Sequence, residues 1–153
     1  MRRYELGPRG ALAVVGIFLG ASLFTFYFGQ GFSYLSKNPR ACANCHIMSE
    51  QFASWQKSSH KAVAGCIDCH LPSGTMAKWG AKILNGYNHS AAFTLQNFHE
   101  PIRIHARNRR LLQANCVRCH SSLVASMMNR VPADGDERRC AVCHRQVGHA
   151  ASS

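Results

Sequence analysis

Four times in 153 residues the chain reads Cys-x-x-Cys-His: Cys42-Ala43-Asn44-Cys45-His46, Cys66-Ile67-Asp68-Cys69-His70, Cys116-Val117-Arg118-Cys119-His120 and Cys140-Ala141-Val142-Cys143-His144. These motifs take up all eight cysteines, so none is left for a disulfide framework or a lone nucleophile. Their starts are 24, 50 and 24 residues apart, which reads as a two-motif module repeated after 74 residues. Setting aside an N-terminal stretch of about 36 residues leaves roughly one small domain, too short for a large side-chain core. Whatever the motifs bind therefore has to help fill the interior.

Two thiols on one short turn can add across the two vinyl groups of a haem, and a His directly after the second Cys reaches the iron from the same side. All four sites meet that requirement. They predict four covalently bound c-type haems, attached at Cys42, Cys45, Cys66, Cys69, Cys116, Cys119, Cys140 and Cys143 and ligated by His46, His70, His120 and His144. The competing chemistry is zinc, because two Cys-x-x-Cys units can make a Cys₄ site. A His at the next position in four motifs of four argues against it.

His60, His89, His99, His105 and His149 remain for the opposite faces of the irons. For each, the alternative is a surface or propionate-bonded histidine. His149 follows the last motif by five residues and His60 precedes the second by six, too close to fold over the neighbouring haem. Each is expected on a different haem packed against it. Met48 lies two residues after His46, on the proximal side, so it either competes with His46 for the first iron or packs against the ring. Spacing leaves both open, and a thioether ligand would raise the reduction potential.

Residues 10–36 carry no charge, and 11–28 are long and apolar enough to span a hydrocarbon core. A cleaved signal peptide is the alternative, but the run is longer than a usual h-region and ends in aromatics, not in a small-x-small site. Arg2, Arg3 and Arg9 favour a cytoplasmic N-terminus, against a modest counter-bias from Lys37 and Arg40. Haem attachment on the outer side of the bacterial cytoplasmic membrane would put the rest in the periplasm. Gly16 and Gly20 make a Gly-x-x-x-Gly step that suits helix pairing, and so a homodimer within a larger complex, although such spacings are common.

The expected fold is mainly α with much irregular structure: a short cytoplasmic N-terminus (1–10), a transmembrane helix (11–35) and a compact periplasmic tetrahaem domain (37–153) built of two two-haem modules. Between the second and third motifs, Met76, Trp79, Ile83, Leu84 and Tyr87 recur at helical spacing with Lys78 and Lys82 off the stripe. This predicts an amphipathic helix after Pro72-Ser73-Gly74, suited to lying along a membrane surface. A second helix is expected over about 101–112, with Pro101 at its first position and Arg103, Arg107 and Arg110 on one basic face. The net charge of +11 does not point to nucleic acid, since four haems would bring on the order of eight propionate charges for Lys and Arg to offset. The remaining basicity suits membrane lipid.

The single anchor, Cys42-x-x-Cys45-His46-x-Met48, Ser59-His60 ahead of the second motif, Asn115 before the third, and His149 after the fourth together resemble the NapC/NirT/NrfH family of membrane quinol dehydrogenases. The likeness spans nearly the whole chain. It implies menaquinol oxidation beside haem 1 and electron transfer to the catalytic subunit of a periplasmic multihaem nitrite reductase that forms ammonia. It further implies Met48 as axial ligand of haem 1, His149 with His70 on haem 2, and His60 with His120 on haem 3. Haem 4 would use His144 and a lysine from the catalytic partner, leaving His89, His99 and His105 unassigned.

Lys82 matches a lysine that the family places near the quinol, against the plainer reading of a snorkelling surface lysine. Where the family can carry an acidic residue, this chain has His89, which would close the open iron face, hydrogen-bond the quinol or accept its proton. Rival readings are a NapC-like donor to another periplasmic reductase, a membrane-bound shuttle cytochrome without a quinol site, and an assembly or anchoring protein.

Overall fold

The computed structural model describes residues 7–128 and 140–149. It divides into two units, Met1–Ser36 and Lys37–Ser153.

In the first unit, Pro8 opens α1 (Pro8–Phe28) at a position where its missing N–H is not needed. Twenty-one residues rise about 32 Å at 1.5 Å each, enough to cross a membrane. Ser22 and Thr25 donate their hydroxyls to the carbonyls of Phe18 and Ala21, each at 2.8 Å, so these side chains bring no unsatisfied donor into the apolar helix. The helix stops where Gly29 and left-handed Gln30 (φ 53°) break it, and a 3₁₀ turn (Gly31–Leu35) carries on the apolar run. This reversal sets Phe32 edge-on to Phe26, with ring centres 5.0 Å apart. A Cβ on Gly31 would overlap the Phe26 ring.

The second unit is helical around its motifs, and no strand occurs among the described residues. The first motif lies on two 3₁₀ turns, Pro39–Asn44 and His46–Met48, followed by α2 (Ser49–Gln56). The second motif is itself α3 (Cys66–His70). Then come α4 (Thr75–Leu95), α5 (Ala106–Cys119), which ends in the third motif, α6 (Ser121–Met128) and α7 (Cys140–Cys143) at the fourth. The first-motif turn packs on α3, α3 on α5 and α5 on α7, so the motifs are neighbours in chain order.

Helix α4 begins where expected, after Gly74, whose φ of 91° suits a residue without a Cβ. The next helix departs from expectation, since α5 starts at Ala106 and runs through the motif to Cys119. Pro101 lies in a bend, and His105 is extended as the N-cap, so Arg103 is outside the helix and the basic face reduces to Arg107 and Arg110. The extension reflects packing of the third motif on α3, which local propensity cannot report. Among the described residues only Leu71 and Ala81 are buried apolar side chains, and Lys82 and Asn115 are buried beside them. Side chains alone do not make the interior of this unit.

Candidate haem sites

The motif sulfurs meet in sequence order. Cys42 and Cys66 share a hydrogen bond, Cys116 lies against Cys140, and Cys69 is close enough to feel Cys119. As free thiols these groups are uneven. The bond from Cys66 draws Cys42 down to about 7, with burial opposing and the charge of Lys82 assisting. Donating that proton pushes Cys66 upward, and burial adds to it. Burial also raises Cys69 and Cys116.

Polar side chains fix these turns to one another. Asp68, inside the second motif, accepts the Gly65 N–H at 2.9 Å and so caps its own helix. Asn115, buried just before the third motif, donates to the carbonyls of Cys69 (2.9 Å) and Leu71 (2.8 Å), which would otherwise be orphans at the end of α3. Arg118, within the third motif, donates to Asn115 Oδ1 and to the Asp68 carbonyl, both at 3.4 Å. Gln113 accepts the Cys140 N–H at 2.9 Å and caps α7. Trp55 on α2 donates to the Ala64 carbonyl at 3.0 Å, holding the approach to the second motif. Motif matching passes over Gln113 and Trp55, whereas Asn115, directly before a Cys-x-x-Cys pair, is already among the residues that carry the family resemblance.

Two pairs of histidines face each other across the modules. The ring centres of His60 and His120 are 6.0 Å apart, inclined at 58°, and those of His70 and His149 are 6.1 Å apart and nearly parallel at 10°. An imidazole nitrogen sits about 2 Å from a bound metal and the ring centre about 1 Å behind it, so two rings on opposite sides of one ion lie roughly 6 Å apart. Both pairs fit a haem iron between them. Among the described residues no three or more of His, Cys, Asp and Glu converge on a bare ion, and two axial donors are what a haem iron requires. His70 is held below the usual histidine range, chiefly by burial and then by repulsion from His149, which keeps it neutral and fit to ligate. Ser59 Oγ lies 3.1 Å from His60 Nδ1, so that nitrogen is engaged and Nε2 is the one left for a metal.

The outer motifs differ from the inner two. His46 and Met48 share one 3₁₀ turn, on which side chains two apart diverge by about 120°, and Met48 is the less exposed. His144 lines a cleft of about 440 Å³ with Ser59, Cys143, Arg145, Gln146 and Val147. Lys82, 8 % exposed, holds its Nζ 5.2 Å from the Trp79 ring centre, and its charge reaches Cys42. Asn108 donates to Asn85 at 3.3 Å, tying α5 to α4. One turn beyond Asn85 stands His89, exposed as a residue; partial desolvation of its ring and then the charge of His105, the N-cap of α5, hold it below the usual range. His105 thereby joins the neighbourhood of His89, a pairing that spacing did not suggest. His99 is exposed in the segment between α4 and α5.

Comparison with known proteins places this geometry in context. The NapC/NirT cytochrome c family, N-terminal region, matches residues 8–153. The cytochrome c-type protein NrfH of Wolinella succinogenes is 39% identical over 148 residues, covering 91% of this chain and 84% of that protein. A chain in the crystal structure of the cytochrome c nitrite reductase NrfHA complex bound to the HQNO inhibitor superposes with a TM-score of 0.63 at 30% identity, covering 91% of this chain and 90% of that one.

Proposed function

The chain belongs to the NapC/NirT cytochrome c family, and we propose that it is a membrane-anchored tetrahaem quinol dehydrogenase that oxidises menaquinol and feeds a periplasmic multihaem nitrite reductase. The observation that carries this reading is the pairing of His60 with His120 and of His70 with His149. Two closed relay centres then lie between a first site with a different ligand set and a last site beside an open cleft.

The haems, when bound, supply iron that exchanges one electron at a time. The eight motif cysteines would hold them by thioether bonds, and His70 with His149, His120 with His60, His144, and Met48 at the first motif would be their iron ligands. Lys82 is a fixed cationic donor to orient a quinol oxygen beside the first motif. Partial desolvation and the charge of His105 bias His89 toward its neutral form, which suits its imidazole to accept a quinol proton. With α1 as anchor and the second unit in the periplasm, that proton leaves outward. The cleft of Ser59, Arg145 and Gln146 beside His144 is where the reductase docks and completes the fourth site.

Copurification from detergent-solubilised membranes tests the pairing. A pentahaem nitrite reductase retained with the full chain, and released when Arg145 and Gln146 are both replaced by Glu, is expected. Retention of a different reductase, or of none, would overturn the assignment of partner.

A further inference from the structure

Lys82 lies where a lysine is least at home. Its ammonium is strongly hydrated and ends a flexible four-carbon stem, and such side chains ordinarily carry their charge out to water. Lys82 is instead 8% exposed, and its charge is felt at Cys42 of the first motif. Lys78, one turn earlier on the same helix, is the more exposed of the two.

The feature that confines Lys82 is on α4 itself. Trp79 precedes it by three residues, so the two side chains are neighbours, about 60° apart around the helix axis. The ammonium nitrogen lies 5.2 Å from the centre of the indole ring, inside the ~6 Å within which the negative ring face attracts a cation. The indole is 42% exposed, so it borders the water that the ammonium avoids. Among aromatic side chains the indole attracts a cation best, and more strongly where the cation is desolvated. Both conditions are met here. An aliphatic side chain at position 79 would cover Lys82 equally well but offer its charge nothing in exchange for lost water. No acidic residue lies on α4, so within the helix that attraction falls to the aromatic face.

We propose that Trp79 is a positioning residue of the first site, its indole face holding the Lys82 ammonium in place before a ligand arrives. The consequence for quinol rests on the proposed function, in which Lys82 orients a quinol oxygen; the hold on Lys82 does not. A cation fixed beforehand costs an incoming molecule no side-chain ordering. Trp79 therefore acts on binding, through Lys82, and needs no contact of its own with the reacting atoms.

The test treats the full-length holoprotein in detergent with an amine-reactive acylating reagent and follows acylation of Lys82 by mass spectrometry, with Lys78 as internal standard. Binding of HQNO is titrated on the same samples. Trp79→Leu, which keeps an apolar cover and removes the ring face, should speed Lys82 acylation about tenfold, and Trp79→Phe, with a weaker face, should fall between. HQNO affinity should weaken and KM for a menaquinol analogue rise in the same order, with kcat kept within about twofold. Acylation of Lys82 at the wild-type rate in Trp79→Leu overturns the proposal, since cover alone would then suffice. A freed Lys82 with unaltered HQNO affinity leaves the hold standing and overturns the part given to Lys82 in the proposed function. If Trp79→Leu sheds its haems, fluorinated tryptophan decides, because it weakens the ring face at nearly constant shape. Acylation should then rise with each added fluorine, and a flat series overturns the proposal.

Discussion

Ser59 illustrates how one hydroxyl tunes a distant property. Its Oγ, 3.1 Å from His60 Nδ1, is placed to accept the ring N–H and make the opposite nitrogen a stronger donor. Ser59→Ala should therefore raise the midpoint potential of the His60/His120 site by on the order of tens of millivolts, against ~59 mV for a tenfold one-electron change. Ser59→Thr should restore it, and a spectroelectrochemical titration reads both. His89 offers a second residue-scale prediction. Desolvation and the charge of His105 push it below the ordinary histidine range, so it stays neutral to lower pH than an ordinary imidazole. Quinol oxidation should hold level through neutral pH and fall only on the acid side of the ordinary histidine range. His89→Asn should abolish that acid limb and lower the rate by about 10² or more. A limb on the alkaline side of that range, or one unchanged in the variant, would count against His89 as proton acceptor. The attachment cysteines and motif histidines were legible at this scale because their covalent chemistry needs fixed spacing. Ser59 and His105 were visible there, one through the resemblance and one as a candidate ligand, but their roles were not, since each acts through a neighbour that folding supplies.

Between elements, the second and third motifs are held by Asn115 and Arg118. Removing the Asn115 amide leaves the Cys69 and Leu71 carbonyls without donors, at about 1–3 kcal/mol for each buried group. Asn115→Ala should thus destabilise the holoprotein by roughly 2–4 kcal/mol, measured by denaturant unfolding, with all four haems still attached. Near-wild-type stability would show that the end of α3 is satisfied in another way. Gly31→Ala, which drives a methyl into the Phe26 ring, should weaken the turn after α1 by a comparable amount. Periodicity located α4 well because its stripe is long, and Gly74 marks its start. It misplaced α5 because Pro101 resembles a helix start, whereas packing on α3 draws the helix onward to Cys119. The stripe on α4 reads as suited to a membrane surface, and Met76, Ile83 and Tyr87 on it are exposed.

Across the whole second unit, the two modules exchange histidines. His60 belongs to the first and faces His120 of the second, while His149 follows the second and faces His70 of the first. Neither module is complete alone, which binds the duplicated halves into one unit without a large apolar core. The repeat itself was plain in the cysteine spacing; the exchange followed from the family resemblance and not from the repeat, because His60 and His149 do not share the 74-residue period. The central claim is that this arrangement carries electrons from a membrane quinol to a nitrite reductase. It is tested most directly by reconstituting the full chain with its copurified reductase in liposomes containing a menaquinol analogue and following nitrite loss. The account predicts quinol-dependent nitrite reduction that HQNO, the inhibitor bound in the similar NrfHA complex, suppresses and that Lys82→Ala lowers at least tenfold. Full nitrite reduction with Lys82→Ala and HQNO present, or haems that menaquinol never reduces, would contradict it.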